Sequence, residues 1–268
     1  MSSVPQAKID EVKRLPEYYV APYFGTYFYR FNVGKEPFAG ESGKLVRRAF
    51  SLAVDKKQLT EQVLRTGERP TGAFCPPVIG YEPVKGLTYD REQARKLFAQ
   101  AGYGANGKPF PAIDILYNTE ARHKAIAEAL AQQWKDVLGV QVGLRNSDWK
   151  SYLADMEHLN YTMLRSSWIG DYADPNTFLD MFVTDGGNNR TGWSNARYDQ
   201  LLAIAQREGD NSKRFAAYRE MEAILTEDEC PILPLYYYVS QGLMSDQVRG
   251  LWPNIRDLHP LQYVWMEE

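Results

Sequence analysis

Hydrophobic positions recur along the chain with two different periods. From residue 18 to residue 33 aromatic and β-branched residues dominate, interrupted by Pro22 and Gly25, and this composition predicts an extended β segment. From Glu120 to Leu138 apolar residues instead recur every three or four positions, which predicts an amphipathic helix that Gly139 ends. The apolar stripe of that helix consists of Ile126, Leu130, Trp134 and Val137.

Strands and helices alternate through the middle of the chain. Predicted strands cover residues 113–117, 140–144 and 161–168, and predicted helices cover residues 45–54, 59–64, 91–98, 120–138, 148–156, 198–207 and 213–225. A further apolar run, CPILPLYYYV, predicts a buried strand over Cys230–Val239. The β-α-β-α-β order predicts a mixed or parallel sheet with helices packed on it, and therefore the α/β class.

One stretch, YTMLRSSWIGDYADPNTFLDMF over residues 161–182, combines these elements with charge. It predicts a strand that stops at a glycine, an acidic turn, and a short helix that begins at a proline. This corner holds the carboxylate of Asp171 beside the rings of Trp168 and Tyr172. Two interpretations stay open: Asp171 presents a negative charge inside an aromatic cleft, or Asp174 caps the helix while Asp171 shapes the turn.

Composition excludes several classes of partner. The chain has 268 residues, enough for one large domain or two modest ones, and its net charge of −3 gives no basic field for nucleic acid or an acidic membrane surface. No apolar run approaches the roughly 20 residues of a membrane helix, and the first residues lack the apolar core of a signal peptide. Aromatic residues make up 13% of the chain, and tyrosine in excess typically lines a binding surface.

Motifs for catalysis, metals and cofactors are missing from the sequence. The three histidines lack metal-ligand spacing, the two cysteines are not in a CxxC motif, and no nucleophile elbow or phosphate loop occurs. The pair Asp171 and Asp174 is the one candidate for glycoside cleavage, but carboxylates three residues apart across a proline turn are more typical of a cap and a turn. We therefore expect no catalytic residue, no metal and no cofactor.

Two aromatic triplets and one arginine complete the candidate residues. Tyr27-Phe28-Tyr29 and Tyr236-Tyr237-Tyr238 lie on predicted strands, where alternate side chains face opposite ways, so some rings belong to the core and others are free to wall a cleft. Arg165 precedes Asp171 by six residues on the same strand. A structural salt bridge and a ligand contact are both open for this arginine.

These segments together resemble the C-terminal half of the oligopeptide- and dipeptide-binding proteins of ABC importers, family 5 of the extracellular solute-binding proteins. The motifs that carry the resemblance, in family order, are GTYFYRFN, KEPF, VRRAFSLAVDKKQL, the CPP loop, DILYNTEARHKAIAEALAQQWKDVLGVQV, WIGDYADPNTFL, NNRTGWSNARYDQLL and PILPLYYYV. They extend from about Tyr19 to about Val239, which is nearly the whole chain.

The resemblance implies a fold and a division of the chain. It implies a periplasmic-binding-protein-like lobe of the class II type, lobe III of a peptide-binding protein, with a mixed sheet flanked by helices over residues 26–244. Residues 1–25 and 245–268 would then belong against a lobe I that is missing from this sequence. Aromatic residues in these two segments would be exposed and promote self-association, namely Tyr18, Tyr19, Tyr23, Trp252, Tyr263 and Trp265.

The resemblance also implies a function and a site. The expected function is capture of an extended peptide for an ABC permease, outside the cytoplasm or in the periplasm, by a protein that is not an enzyme and that a lipid anchors in some relatives. Asp171 matches the aspartate that pairs with a peptide's amino terminus, while Arg165 and His123 match residues near peptide carboxyl termini or side-chain pockets. The other expected ligand-binding residues are Trp168, Tyr172, Tyr27 and Arg30, the last of which replaces an acidic residue.

Two further expectations follow from departures within the family. The disulfide of the best-known oligopeptide binder falls at positions matched by Gly25 and Ile169, so we expect no such bridge and free thiols at Cys75 and Cys230. Relatives also bind other solutes, so a nickel complex, haem, an opine or an oligosaccharide stays an alternative ligand. A glycosidase and a stand-alone interaction module are the alternatives from other classes.

Overall fold

The computed structural model describes residues 8–105 and 107–267, and within them a six-stranded mixed sheet forms the centre of the protein. Its strands are β1 (Tyr18–Phe31), β2 (Arg69–Pro70), β3 (Ile113–Asn118), β4 (Val142–Ser147), β5 (Met163–Ile169) and β6 (Ile232–Leu243). The spatial order is β2-β6-β1-β5-β3-β4. Strand β1 runs antiparallel to β5 and β6, whereas β3 runs parallel to β4 and β5. The predicted α/β class with a mixed sheet is confirmed.

Helices cover both faces of this sheet. They are α1 (Ile9–Val12), α2 (Gly40–Leu52), α3 (Lys56–Gln58), α4 (Arg91–Gln100), α5 (Ala121–Leu138), α6 (Trp149–Glu157), α7 (Asn176–Leu179), α8 (Ala196–Arg207) and α9 (Asn211–Ala223). Single π-helical turns extend α3 through Leu59–Leu64 and α9 through Ile224–Asp228. None of the helices in the described ranges is long and apolar enough to cross a membrane.

The side chains of β1 point alternately to the two faces of the sheet and contribute to two separate hydrophobic cores. Tyr27, Tyr29 and Phe31 pack with residues of α2, α4 and α5 on one face. Phe24 and Phe28 pack with residues of α7, α8 and α9 on the other face. Because successive side chains of a strand point to opposite faces, the aromatic run of β1 is shared between the two cores. We call these the α5 face and the α9 face of the sheet.

Local signals in the sequence set the helix ends. Asp90 accepts a hydrogen bond from the backbone of Gln93 at 2.9 Å, and the carboxylate of Asp148 accepts from the first turn of α6. Gly139 ends α5 with a φ of +72°, a left-handed conformation that glycine adopts without strain. The strand predicted over residues 140–144 is shifted, since β4 begins at Val142 and continues to Ser147.

The carboxylate of Glu222 on α9 is fully buried and fixes the loop before α4. One oxygen accepts hydrogen bonds from the backbone amides of Phe74 and Cys75, at 2.9 and 2.7 Å. The other accepts from the hydroxyl of Tyr81 at 2.8 Å and from the backbone amide of Val84 at 3.1 Å. Burial raises the pKa of Glu222 to about 7, although these hydrogen bonds act in the opposite direction. Nothing in the sequence pattern had indicated this residue.

Both cysteines are free thiols in the structure, as expected. Cys75 lies in the core of the α9 face, and burial is the main cause that raises its pKa. Burial likewise raises the pKa of Cys230 to about 12. Thiols in such surroundings are weak nucleophiles, so we assign no chemistry to either residue.

The predicted boundary between residues 25 and 26 falls inside β1. Residues Tyr18 to Pro22 pair with the distal part of β6, and Thr26 onward pairs with its first part, with a shift in register between Pro22 and Thr26. The boundary therefore coincides with an irregularity in one continuous strand. The first seven residues of the segment 1–25 lie outside the described residues, so the lobe assignment itself stays a proposal.

The two predicted exposed segments differ in burial. Tyr18, Tyr19 and Tyr23 are half-buried rather than exposed, because β6 and the end of the chain pack beside them. The segment after residue 245 instead carries strongly exposed apolar side chains around β7 (Val248–Arg249) and β8 (Trp265–Met266). They are Trp252, Leu258, Leu261, Tyr263, Trp265 and Met266, which we call the tail surface.

We expect the tail surface to drive self-association of this chain. Trp252 and Leu261 are 72% and 77% exposed, and apolar side chains exposed in this way are removed from water by contact with another chain. Sedimentation velocity should show a concentration-dependent oligomer that the pair Trp252→Ser and Leu261→Ser shifts towards monomer. A matched control is Ile79→Ser, an exposed apolar residue on a loop outside this surface. A wild-type chain that stays monomeric at about 100 μM would contradict the expectation.

Candidate ligand-binding site

A pocket of about 310 Å³ opens on the α5 face of the sheet, between β1, β5, β6 and the first turn of α5. Aromatic rings and charged groups alternate around its wall. The lining residues are Tyr23, Tyr27, Glu120, Arg122, His123, Arg165, Ser167, Ile169, Tyr238, Val239 and Gln241. The structure thus brings together three of the predicted site residues, Tyr27, His123 and Arg165, in one cavity.

His123 connects two other groups of the wall. Its Nε2 lies 2.8 Å from a carboxylate oxygen of Glu120, and its Nδ1 lies 3.1 Å from the hydroxyl of Tyr27. Burial lowers the pKa of His123, and the hydrogen bond from His123 lowers the pKa of Glu120. At neutral pH a neutral imidazole therefore donates from Nε2 to an ionised Glu120, and Tyr27 donates its proton to Nδ1. The oxygen of Tyr27 then offers only lone pairs to the pocket.

Arg165 carries a buried positive charge without a paired carboxylate. The residue is 8% exposed, and its guanidinium carbon lies 4.7 Å from the centre of the Tyr27 ring. Its terminal nitrogens are 3.4 Å from the amide oxygen of Asn118 and 3.4 Å from the hydroxyl of Tyr238. Within the described residues no ion pair involves Arg165, and its Nε has no hydrogen-bond partner. A buried cation in this state favours an anionic ligand.

Arg122, two residues into α5, is already neutralised. Its guanidinium donates to Glu68, whose side chain is 1% exposed and which also accepts from the hydroxyl of Thr66. The guanidinium carbon also lies 5.7 Å from the centre of the Tyr236 ring. The pocket therefore contains one arginine in a close ion pair and one, Arg165, without such a pair, although Arg165 is near enough to the ionised Glu120 to lower its pKa. No pattern in the sequence indicates Glu68, Glu120 or Arg122 as site residues, because their relation to the pocket depends on contacts between distant segments.

Trp168 and Arg30 lie on the opposite, α9 face. Arg30 donates to Ser166 at 3.2 Å and to the backbone oxygen of Asn188 at 2.9 Å, and it stacks on rings of that core. Trp168 packs partly buried against the same core. Strand alternation explains this placement, since residues 165 and 168, like residues 27 and 30, are an odd number of positions apart. These two predicted ligand-binding residues do not line the pocket.

Asp171 and Tyr172 lie in the turn that follows β5. Both are exposed, and Asp171 comes two residues after the pocket residue Ile169. The backbone oxygen of Asp171 accepts from Arg256, while no described residue donates to its carboxylate. Asp174 instead binds Arg214 at 2.6 Å and accepts from the backbone amide of Asn176, the first residue of α7, at 2.9 Å, although Pro175 rather than Asp174 occupies the cap position. Asp171 is left as the free carboxylate of this corner.

Gly25 and Ile169, the matched disulfide positions, are direct partners across β1 and β5. A Cβ added at residue 25 would lie 2.3 Å from the terminal methyl group of Ile169. The isoleucine side chain therefore occupies space beside the glycine and lines the pocket.

In the described part of the chain, no group of three or more acidic, histidine or cysteine side chains is placed to bind a metal ion.

The family model described as bacterial extracellular solute-binding proteins, family 5 Middle, matches residues 1–190. The chain belongs to this family. The dipeptide-binding protein DppE of Bacillus subtilis is 38% identical over 250 residues, which cover 90% of this chain and 44% of DppE. The chain spans about half the length of such relatives, so the match is to part of a family 5 protein.

Solved structures of the family share the fold. A periplasmic oligopeptide-binding protein of Borrelia burgdorferi superimposes with a TM-score of 0.87 at 36% identity, over 98% of this chain and 52% of that one. OppA of Haemophilus influenzae in complex with the peptide RPPGFSPFR gives a TM-score of 0.81 at 30% identity, over 99% and 53% of the two chains. The predicted resemblance to family 5 peptide-binding proteins is confirmed.

Proposed function

We propose that this chain is part of the solute-binding component of an ABC importer and that it binds peptides. The observation that carries the proposal is the pocket of the α5 face, in which aromatic rings surround the buried charge of Arg165, a residue in no close ion pair among the described residues. The names of its relatives support the ligand class, since they include dipeptide- and oligopeptide-binding proteins and one structure with a bound peptide. The same names support a periplasmic location and a permease as partner.

Peptide capture in a cleft follows known physical rules. An extended peptide gains affinity through main-chain hydrogen bonds that are independent of its sequence, while pockets accept alternate side chains. In this chain Arg165 would receive a carboxylate, from the peptide's end or from an acidic side chain, and Asp171 would receive the amino terminus. We assign an indirect role to Trp168, Tyr172 and Arg30. They would hold the sheet and the turn after β5 in position for the ligand. A second lobe, against residues 1–25 and 245–268, would close the cleft.

The alternatives fit the geometry less well. A glycosidase needs two available carboxylates, and Asp174 is already held by Arg214 and by a backbone amide. We therefore propose a binding protein and not an enzyme. Among other solutes, an anion of any class would use Arg165, but the free carboxylate of Asp171 favours a ligand that also carries an amine. Lipid anchoring of the complete protein stays part of the proposal.

The role of Asp171 can be tested by removing either charge of the proposed pair. In a protein that carries both walls of the cleft, Asp171→Ala should weaken binding of a free-amine peptide by about 30-fold, because a desolvated charge pair loses roughly 2–5 kcal/mol when one partner is removed. An N-acetylated peptide should bind the wild type poorly and lose little more in the variant. Titration calorimetry measures both affinities.

Asp174→Ala is the matched control for this experiment. It removes the hydrogen bond to the backbone amide of Asn176 at the start of α7 and the pair with Arg214, so it should lower stability by about 0.5–2 kcal/mol and leave the preference for a free amine unchanged. Equal binding of acetylated and free peptides to the wild type would show that Asp171 is not the amine anchor. The alternative solutes would then become the stronger candidates.

A further inference from the structure

A second pocket, of about 420 Å³, lies at the β2 edge of the sheet, and it shares no lining residue with the pocket of the α5 face. Its walls are the start of α3, the residues that follow β2, and the loop that precedes α4. We call it the β2 pocket. Lysines come to it from two of these walls, Lys56 and Lys57 from α3 and Lys85 from the loop.

Lys56 is the unusual member of this group. It is 7% exposed, and its ammonium donates one hydrogen bond, at 2.8 Å, to the backbone oxygen of Leu87, which also lines the pocket. In the described ranges no carboxylate pairs with it. An ammonium group has three donors, so two stay available on a buried cation. Burial without a counterion lowers the pKa of Lys56 to about 8.

The remaining charges of the β2 pocket do not compensate Lys56. Lys57 is paired with Glu61 at 3.9 Å, but both side chains are more than half exposed, so that pair is weak. Lys85 is exposed and has no acidic partner in the described ranges. Asp55 is the single acidic residue of the wall, and its carboxylate already accepts from the backbone of Gln58 at 2.9 Å. A local excess of positive charge thus exists in a chain whose net charge is −3.

We propose that the β2 pocket binds a phosphate-class oxyanion. Lys56 would contact the anion from the pocket floor, and Lys57 and Lys85 would approach it from the rim. A compact anion with two charges matches three lysines and one aspartate, and several oxygens can accept from the free donors. Thr88 and Tyr89, two exposed residues with hydroxyl groups, also line this pocket.

Binding at this site is coupled to the proton of Lys56. An anion stabilises the charged ammonium, so affinity should be retained below pH 8 and fall as the pH rises above it. The other titratable residues that line the pocket are Asp55, Lys57, Lys85 and Tyr89, and the thiol of Cys230 is the titratable group that interacts electrostatically with Lys56. The thiol of Cys230 stays neutral over this range, because burial raises its pKa to about 12.

Inorganic phosphate is the probe for the test, with chloride at the same ionic strength as the reference. Calorimetry on the complete chain should give a dissociation constant of about 1 mM or tighter at pH 7. Lys56→Met should weaken binding by about 10-fold or more, and Lys85→Gln by roughly 3-fold, in line with a buried and an exposed contact. The matched control is Lys124→Gln, an exposed lysine with a glutamate partner at 3.7 Å on α5, which should bind phosphate as the wild type does.

A labelling experiment gives an independent readout. Acetylation of Lys56 by a limiting acylating reagent, followed by mass spectrometry, should slow at least about 3-fold when phosphate raises the charged fraction of this amine, while acetylation of Lys124 stays constant. If Lys56→Met fails to fold, Lys85→Gln and the labelling of the wild type decide the question. The proposal is overturned if phosphate neither releases heat nor protects Lys56 at about 10 mM, or if Lys85→Gln and Lys124→Gln bind it equally.

Discussion

Replacing Arg165 by methionine is expected to weaken binding of a peptide with a free carboxylate by about 30-fold or more, corresponding to roughly 2–5 kcal/mol. The guanidinium is 8% exposed and lacks an acidic partner among the described residues, so a ligand carboxylate would supply the counterion that the fold omits. Methionine keeps much of the side-chain volume against the Tyr27 ring. Calorimetry with matched free and amidated peptides, in a protein that carries both cleft walls, measures the effect.

The amidated peptide separates charge recognition from packing. Amidation removes the negative charge of the peptide's carboxyl terminus, so the wild type should bind the amidated peptide more weakly, while Arg165→Met should lose little further affinity for it. Arg165→Lys should recover part of the affinity, since it keeps the charge but loses the planar fork. Arg30→Met is the matched control: it removes a buried arginine of the neighbouring strand that faces the α9 core. If Arg30→Met changed carboxylate preference as much as Arg165→Met does, the pocket assignment would be wrong.

Glu222→Leu is expected to unfold the protein or to lower its free energy of unfolding by about 5 kcal/mol or more. Four donors, three amides and one hydroxyl, would lose their acceptor, and each of the three that are fully buried costs about 1–3 kcal/mol when unsatisfied. Glu222→Gln keeps one acceptor oxygen and turns an amide group towards the other donors, so a smaller loss of about 2–4 kcal/mol is expected. Chemical denaturation followed by tryptophan fluorescence measures these losses.

The matched control for Glu222 lies two residues earlier on the same helix. Glu220 pairs with Arg197 at the surface, so Glu220→Gln should change stability by less than about 1 kcal/mol.

The pH dependence of stability gives a second readout for Glu222. Burial raises the folded-state pKa of Glu222 to about 7, above its ordinary value of 4.5, so the folded state binds more protons between these values. Wild-type stability should therefore fall from about pH 4.5 to pH 7 relative to Glu222→Gln; an identical pH profile would contradict the assignment.

The site was only partly accessible from the sequence. Tyr27, His123 and Arg165 were expected near a ligand, and they do share one pocket. The charges that define that pocket were not foreseen, because Glu68 reaches Arg122 across 54 positions of the chain and contacts of that kind leave no periodic pattern. The ligand-binding assignments of Trp168, Tyr172, Arg30 and Asp171 stay predictions, and the experiments above test those of Arg30 and Asp171.

Short-range interactions along the chain set the helices and strands of this protein, so the sequence by itself determined them. Helix periodicity, the caps at Asp90 and Asp148 and the glycine at position 139 are short-range signals, and each produced the predicted helix end. Strand alternation already places Arg165 and Trp168 on opposite faces. The tertiary structure decided which face contains the pocket, since that depends on how α5 packs against β1, β5 and β6. It also decided which charges are paired, because burial and long-range contacts, rather than residue type, left Arg165 and Lys56 without an ion pair among the described residues.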